Sequence, residues 1–208
     1  MLGVTLGIGS KGWGECAHRM AVRMESMTGV QCVAVTEGPA SPLVHPSWAK
    51  LWLQDAYPGE DLMIFDADLY ACCPWDPRSL LKGYNLAWVQ NRNRRAVKEC
   101  KRYGLDLDRY ATSGLLLIES GCPVLKEAQR YYPSYGPWYE EVPLNEVVQL
   151  GDMQVNLLPE KFNYLYYYRD PLADALGSNP INLHLVGLRG DLHRLLAVEE
   201  EVAKCMHV

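Results

Sequence analysis

No apolar stretch in these 208 residues approaches the ~20 needed to cross a bilayer as a helix, which excludes a transmembrane helix. The opening Met1 to Gly9 lacks the basic start and apolar run of a secretory signal, so a cytoplasmic protein is expected. Positive charge is short as well. Twenty Lys and Arg stand against 25 Asp and Glu, and a net charge of −5 gives no bulk attraction to nucleic acid or an anionic membrane. The seven cysteines are odd in number and include the adjacent Cys72 and Cys73, which argues against a disulfide framework. No Cys/His cluster has zinc-site spacing. Reduced, mostly buried thiols are expected, with Cys16 on a helix and Cys32 in an apolar strand. Internal repeats, linkers and low-complexity segments are absent too. The length suits one well-buried core, so residues 1–208 are expected to form one domain.

The apolar pattern alternates between strand-like and helix-like segments. Val4 to Leu6, Val30 to Thr36, Leu62 to Phe65, Tyr84 to Val89, Gly114 to Ile118, Val155 to Leu158 and Ile181 to His184 read as strands. Helical spacing runs from Glu15 to Met27, through Trp48, Leu51, Trp52 and Ala56, from Val124 to Tyr132, around Leu144 to Leu150, and from Asp191 to Met206. A Pro/Ser-rich loop separates the second strand from the second helix. Such alternation predicts an α/β fold with a mostly parallel central sheet and helices on both faces.

Within that frame the chemistry gathers at Asp66-Ala67-Asp68. The pair comes directly after Leu62-Met-Ile-Phe65, a continuous apolar run of the kind buried on both faces of a sheet. Two carboxylates just past a central strand lie in the crevice where open α/β sheets bind ligands. Their hard oxygens suit a divalent cation, and a diphosphate leaving group needs its charge neutralised. Asp106-Leu107-Asp108 repeats the pattern in a polar, basic stretch with no strand before it, and reads as a solvated turn. Far along the chain, His184 ends another apolar run and precedes Gly187 by three residues. Its imidazole can complete a metal shell, while the glycine lets backbone amides approach phosphates.

Two further features carry open readings. Arg92, Arg94, Arg95, Lys98, Lys101 and Arg102 form either a solvated helix face or a patch for an anionic acceptor. Gly7-Ile8-Gly9-Ser-Lys-Gly12 matches the dinucleotide GxGxxG, but Trp13 and Gly14 fall where the helix should already run. The same loop can place glycine amides, Ile8 and Trp13 beside a nucleotide.

Taken in order, these segments resemble the family-8 GT-A glycosyltransferases, the group of glycogenin and the bacterial lipopolysaccharide galactosyltransferases. Lys50-Leu51 resembles the basic residue upstream of the acidic motif, and Asp66-Ala67-Asp68 matches the DxD. Thr112-Ser113-Gly114 with the aliphatic run to Ile118 resembles the Asn-Ser/Ala-Gly segment. Glu140-Glu141-Val-Pro-Leu144-Asn145 falls at Asp-Gln-x-x-Leu-Asn, Leu158-Pro-Glu-Lys-Phe162-Asn163-Tyr164 at Leu-Pro…Phe-Asn, and His184-x-x-Gly187 at the start of HxxGxxK. The resemblance implies a single GT-A domain that takes a UDP-sugar with Mn²⁺ or Mg²⁺ held by Asp66, Asp68 and His184. It implies donor contacts from Lys50, Ala67, Thr112, Ser113, Gly187, Arg189, Ile8 and Trp13. Glu140 and Glu141 are the implied catalytic carboxylates, and transfer with retention is the implied outcome. The acceptor stays open among a glycan, a glycolipid, a protein and a modified base.

The chain also departs from the family pattern. Gly190 stands at the final lysine of HxxGxxK with Arg189 one place earlier, Thr112 at the usual Asn, and Glu140-Glu141 at Asp-Gln. A sugar-nucleotide nucleotidyltransferase and a catalytically inactive binding module are the alternatives. The first would release pyrophosphate from a nucleoside triphosphate, and the second would bind a donor without turning it over.

Overall fold

The computed structural model describes residues 1–9, 12–37, 46–132, 140–168 and 171–206. Strands β1 (Leu2–Leu6), β2 (Cys32–Val35), β3 (Leu62–Asp66), β4 (Leu69–Ala71), β5 (Leu86–Gln90), β6 (Ala111–Ile118), β7 (Val155–Leu158), β8 (Tyr164–Tyr167) and β9 (Asn182–Val186) alternate with helices. These are α1 (Trp13–Thr28), α2 (Pro46–Ala49), α3 (Leu53–Ala56), α4 (Pro77–Leu81), α5 (Arg94–Tyr103), α6 (Val124–Gln129), α7 (Glu141–Leu150), α8 (Leu172–Gly177) and α9 (Leu192–Met206). Helix α1 begins directly after Gly12 and contains Gly14, so Trp13 and Gly14 do not interrupt it as the sequence suggested. A glycine in the first turn is tolerated because the buried stripe Cys16, Ala17, Met20, Ala21 and Met24 holds the helix to the sheet.

Six strands form the main sheet in the order β2-β1-β3-β6-β5-β7. All neighbours are parallel except β6, which runs against both β3 and β5. The mostly parallel α/β sheet expected from the sequence is therefore present, and its order with one reversed strand sets it apart from the all-parallel dinucleotide fold. Its faces carry different cores. On one, Met20, Met24, Met63, Phe65, Leu115 and Leu117 pack with Leu195 and Val202 of α9. On the other, Val4, Leu62, Ile64, Trp88, Leu116 and Ile118 pack with Trp48, Leu51, Leu125 and Leu144. Alternation along β3 and β6 assigns neighbouring residues to opposite cores, which is why residues 62–65 and 115–118 are apolar throughout.

A second sheet of three strands, β4-β9-β8, sits beyond the carboxyl end of β3. Strand β4 comes almost at once after the acidic pair and pairs antiparallel with β9, in a register that sets Leu69 opposite His184. The backbone N–H of Leu185 donates to the carbonyl of Asp68 at 2.7 Å. Two distant parts of the sequence thus meet through ordinary ladder bonds. All seven cysteines are unpaired, and Cys16, Cys72, Cys100 and Cys122 are buried.

Candidate active site

The register of β4 on β9 delivers the third member of the acidic cluster. One ligand atom each of Asp66, Asp68 and His184 lie within 4.8 Å of one another. His184 Nε2 stands 3.3 Å from Asp68 Oδ1, and Nδ1 donates to Asn163 Oδ1 at 3.1 Å. That bond turns Nε2 toward the carboxylates, where it carries a proton in the absence of a cation and can give it up to one, the orientation that metal-binding histidines need. Burial alone would lower the imidazole pKa. Asp68 beside it, with Asp66 behind, outweighs burial and carries it up to about 9. The two carboxylates therefore draw positive charge into the site.

Gly114 makes room for this pair. A Cβ there would lie 3.0 Å from Asn163 Oδ1 and 3.1 Å from His184 Nδ1, so a larger residue would press on the hydrogen bond that orients the ring. Strand β6 reaches this position through a bulge. Trp88 pairs with Leu116, and the next residue, Val89, pairs with Thr112, so Ser113 to Leu115 are extra on the β6 side. Bulges re-aim side chains beside functional sites, and here the excursion carries Ser113 toward Lys50 and Gly114 toward His184.

Lys50 is the hub of the buried charges. Its Nζ donates to Asp66 Oδ1 at 2.9 Å, to Ser113 O at 3.2 Å and to Ser113 Oγ at 3.3 Å, and lies 3.2 Å from Glu140 Oε1. The residue is 4% exposed. Burial would lower its pKa, but Asp66 and Glu140 outweigh that and raise it, while Asp66 is held below the usual carboxylate range against its own burial. The ammonium faces these partners, so its charge sets the position of Asp66. Glu140 also accepts from Ser113 Oγ at 2.9 Å, which ties α7 to the bulge. Asn145 fixes the same junction by bonding both the N–H and the C=O of Ala111 at 2.8 Å.

Glu141 faces the other way, into a cleft of about 1140 Å³ that it lines with Thr112, Asn163 and His184. It accepts from Asn91 Nδ2 and from the Ser113 backbone N–H, each at 3.2 Å. Burial first, then the neighbouring Glu140, pushes its pKa up to about 7. A smaller groove of about 660 Å³ adjoins on the far side of Tyr167 and Val186, lined by Gly187, Arg189 and Arg194. Arg189 adopts φ 54°, a left-handed backbone that non-glycine residues seldom take.

Compared with known proteins, the chain matches no family model and no curated protein. Solved structures do match. The galactosyltransferase LgtC, in complex with donor and acceptor sugar analogs, superposes with a TM-score of 0.58 at 14% identity, covering 90% of this chain and 87% of its own. A glycosyltransferase involved in glycosylation of the major capsid of PBCV-1 gives 0.60 at 11% identity, covering 94% and 98%. The apo WbbM bifunctional glycosyltransferase gives 0.61 at 13%, covering 89% and 45%. The chain has the GT-A glycosyltransferase fold.

In this GT-A fold the residues named from sequence divide into groups. Asp66, Asp68 and His184 come together, with Ala67 buried in the turn between the aspartates. Thr112, Ser113, Glu140 and Glu141 gather on the β6–α7 side, and Gly187 with Arg189 on the β9 side. At the N-terminal loop, Trp13 packs on the first core close to Gly9, and a Cβ at Gly12 would meet the Gly190 carbonyl at 2.7 Å. That close approach sets Gly12, just before α1, against Gly190, the neighbour of Arg189. Asn163 is the site residue that sequence reasoning missed. It stood inside the Leu-Pro…Phe-Asn segment, but only the fold shows that it orients His184. Asn91 had no sequence signal.

Proposed function

We propose that the chain, as one domain over residues 1–208, is a metal-dependent glycosyltransferase that moves a sugar from a nucleoside-diphosphate donor to an acceptor hydroxyl with retention. The UDP type of donor is carried over from the family-8 resemblance. The observation that carries the reading is the convergence of Asp66, Asp68 and His184, the last of which also lines the cleft that holds Glu141. Two carboxylate oxygens and an imidazole nitrogen turned inward, which would give up its proton to a bound cation, fit Mn²⁺ or Mg²⁺. Bound there, such a cation would supply Lewis-acid neutralisation of the donor diphosphate.

The chain's own residues account for the rest. Lys50 holds Asp66 ionised and oriented, and Glu140 with Ser113 holds Lys50. Arg189 and the backbone around Gly187 offer positive charge and N–H groups to the departing phosphates. Ile8 and Trp13 flank the nucleotide from the N-terminal loop, while Ala67, Thr112 and Ser113 bound the donor sugar. Glu141, ionised above about pH 7, places negative charge where an oxocarbenium-like centre develops and stabilises it. The acceptor hydroxyl attacks on the donor's own face and passes its proton to the leaving phosphate.

Incubation with UDP-glucose or UDP-galactose tests this reading. Release of UDP that requires Mn²⁺ and stops with EDTA is the expected result. Pyrophosphate release from a nucleoside triphosphate plus sugar phosphate would instead make the chain a nucleotidyltransferase. Thermal stabilisation by nucleotide-sugars without turnover would make it a binding module.

A further inference from the structure

The basic residues crowded between Arg92 and Arg102 stand on and before α5, and the start of that helix is a wall of the larger cleft. Arg92, Arg94 and Arg95 line it together with Thr112, Glu141 and His184. Asn91, which donates to Glu141, directly precedes Arg92, so the wall is tied to the centre of the cleft by a short piece of backbone. The three arginines are differently engaged. Arg95 Nε donates to buried Glu99 at 2.7 Å, and Glu99 also accepts from the Tyr110 hydroxyl. Arg92 makes an exposed pair with Asp108 at 2.8 Å. Arg94 is exposed, with no hydrogen bond or ion pair among the described residues.

Helix stability does not explain this arrangement. A helix N-terminus carries partial positive charge and favours acids, yet the first turn of α5 has no acid and opens with two arginines. Its first amides are already satisfied, since Asn93 Oδ1 accepts from the N–H of Arg95 and of Ala96. Packing does not call for Arg94 either, because the inward face is Ala96, Glu99 and Cys100. A local arrangement that opposes its own electrostatics is characteristic of a functional surface. Planar guanidinium groups in a cleft match phosphate and carboxylate geometry.

We propose that this cleft takes an acceptor sugar bearing a negatively charged group, phosphate or carboxylate, held by Arg94 and Arg92 with its hydroxyl directed toward Glu141. The assignment rests on the transferase reading for the word acceptor, but the anion site itself can be measured without any donor. Calorimetric titration of the full chain at low salt with glucose 6-phosphate, glucuronate and glucose separates the possibilities. Both charged sugars, or one of them, bind while glucose does not, and the stronger of the two identifies the anion. Binding falls by about tenfold or more in the R92A/R94A double variant, whose exposed side chains leave the core intact, and it weakens as salt is raised. Arg189→Ala keeps the binding. Equal binding of glucose and its charged forms, no binding by either charged sugar, or loss in Arg189→Ala with none in R92A/R94A would each overturn the proposal. Failure of the wild-type protein to turn over a donor overturns the transferase reading alone.

Discussion

Asp66-Ala67-Asp68 and Asp106-Leu107-Asp108 have the same spacing and similar local chemistry, yet they meet different surroundings. Asp66 ends a buried strand, is paired with nearly buried Lys50, and shares its space with Asp68 and His184. Asp106 caps a single turn, Leu107–Arg109, by accepting from the Asp108 N–H, and Asp108 reaches Arg92 with both side chains mostly exposed. Where a carboxylate meets water, its charge is already compensated. Where it meets a strand end, a buried ammonium and an imidazole, the charge has to be compensated by the fold or by a ligand. The two pairs differ in their cover: β4 and β9 close over the first, and solvent surrounds the second.

The sharpest way to break the comparison is to neutralise one acid in each pair. Asp68→Asn is expected to lower Mn²⁺-dependent UDP release by about a thousandfold with little change in Tm, and Asp108→Asn to leave it within about twofold. Similar losses in both variants would mean that the first pair has no special role. The partners come next. Lys50→Met leaves buried Glu140 and half-buried Asp66 without their cation and is expected to cost about 3 kcal/mol in urea unfolding, against less than about 1 kcal/mol for Arg92→Ala.

A smaller effect tests how His184 is aimed. Asn163→Ala is expected to weaken Mn²⁺ affinity by about 10- to 100-fold, read by direct metal titration. The smallest concerns Glu141. Its folded pKa, about 7, lies above the ordinary 4.5, so the native state binds the extra proton and stability falls as pH rises from about 4.5 through about 7. Glu141→Gln removes that slope. The variant is expected to match wild type near pH 4 and to be more stable by about 2 kcal/mol at pH 8, while transfer slows more than donor binding. Parallel stability curves would show that the carboxylate is not held in its protonated form.

Much of this was legible in the residues. The apolar run before Asp66 is continuous and the Met stripe of α1 is strongly periodic, and both elements lie where those patterns put them. The sequence also separated the two acidic pairs, because only one comes after a strand. Short elements were not legible. Strand β4 is three residues long, and β8 is a tyrosine-rich run that reads equally well as an aromatic cluster. For α4, Asp76 as cap and Pro77 in the first turn were an available signal. The orientation of Lys50 could not be read at all. The family resemblance implies a donor contact, but only the fold reveals that Ser113, Glu140 and Asp66 surround its ammonium.

That bulge has a consequence for how the molecule can change. Residues 115–118 of β6 are keyed to β3, whereas residues 111 and 112 are keyed to β5 alone. Ser113 and Gly114 between them belong to neither register and are held by the site instead, Ser113 by Lys50 and Glu140 and Gly114 against Asn163 and His184. A substitution at either position would therefore be felt first by the charged groups around it, and only afterwards by the strands that carry both cores.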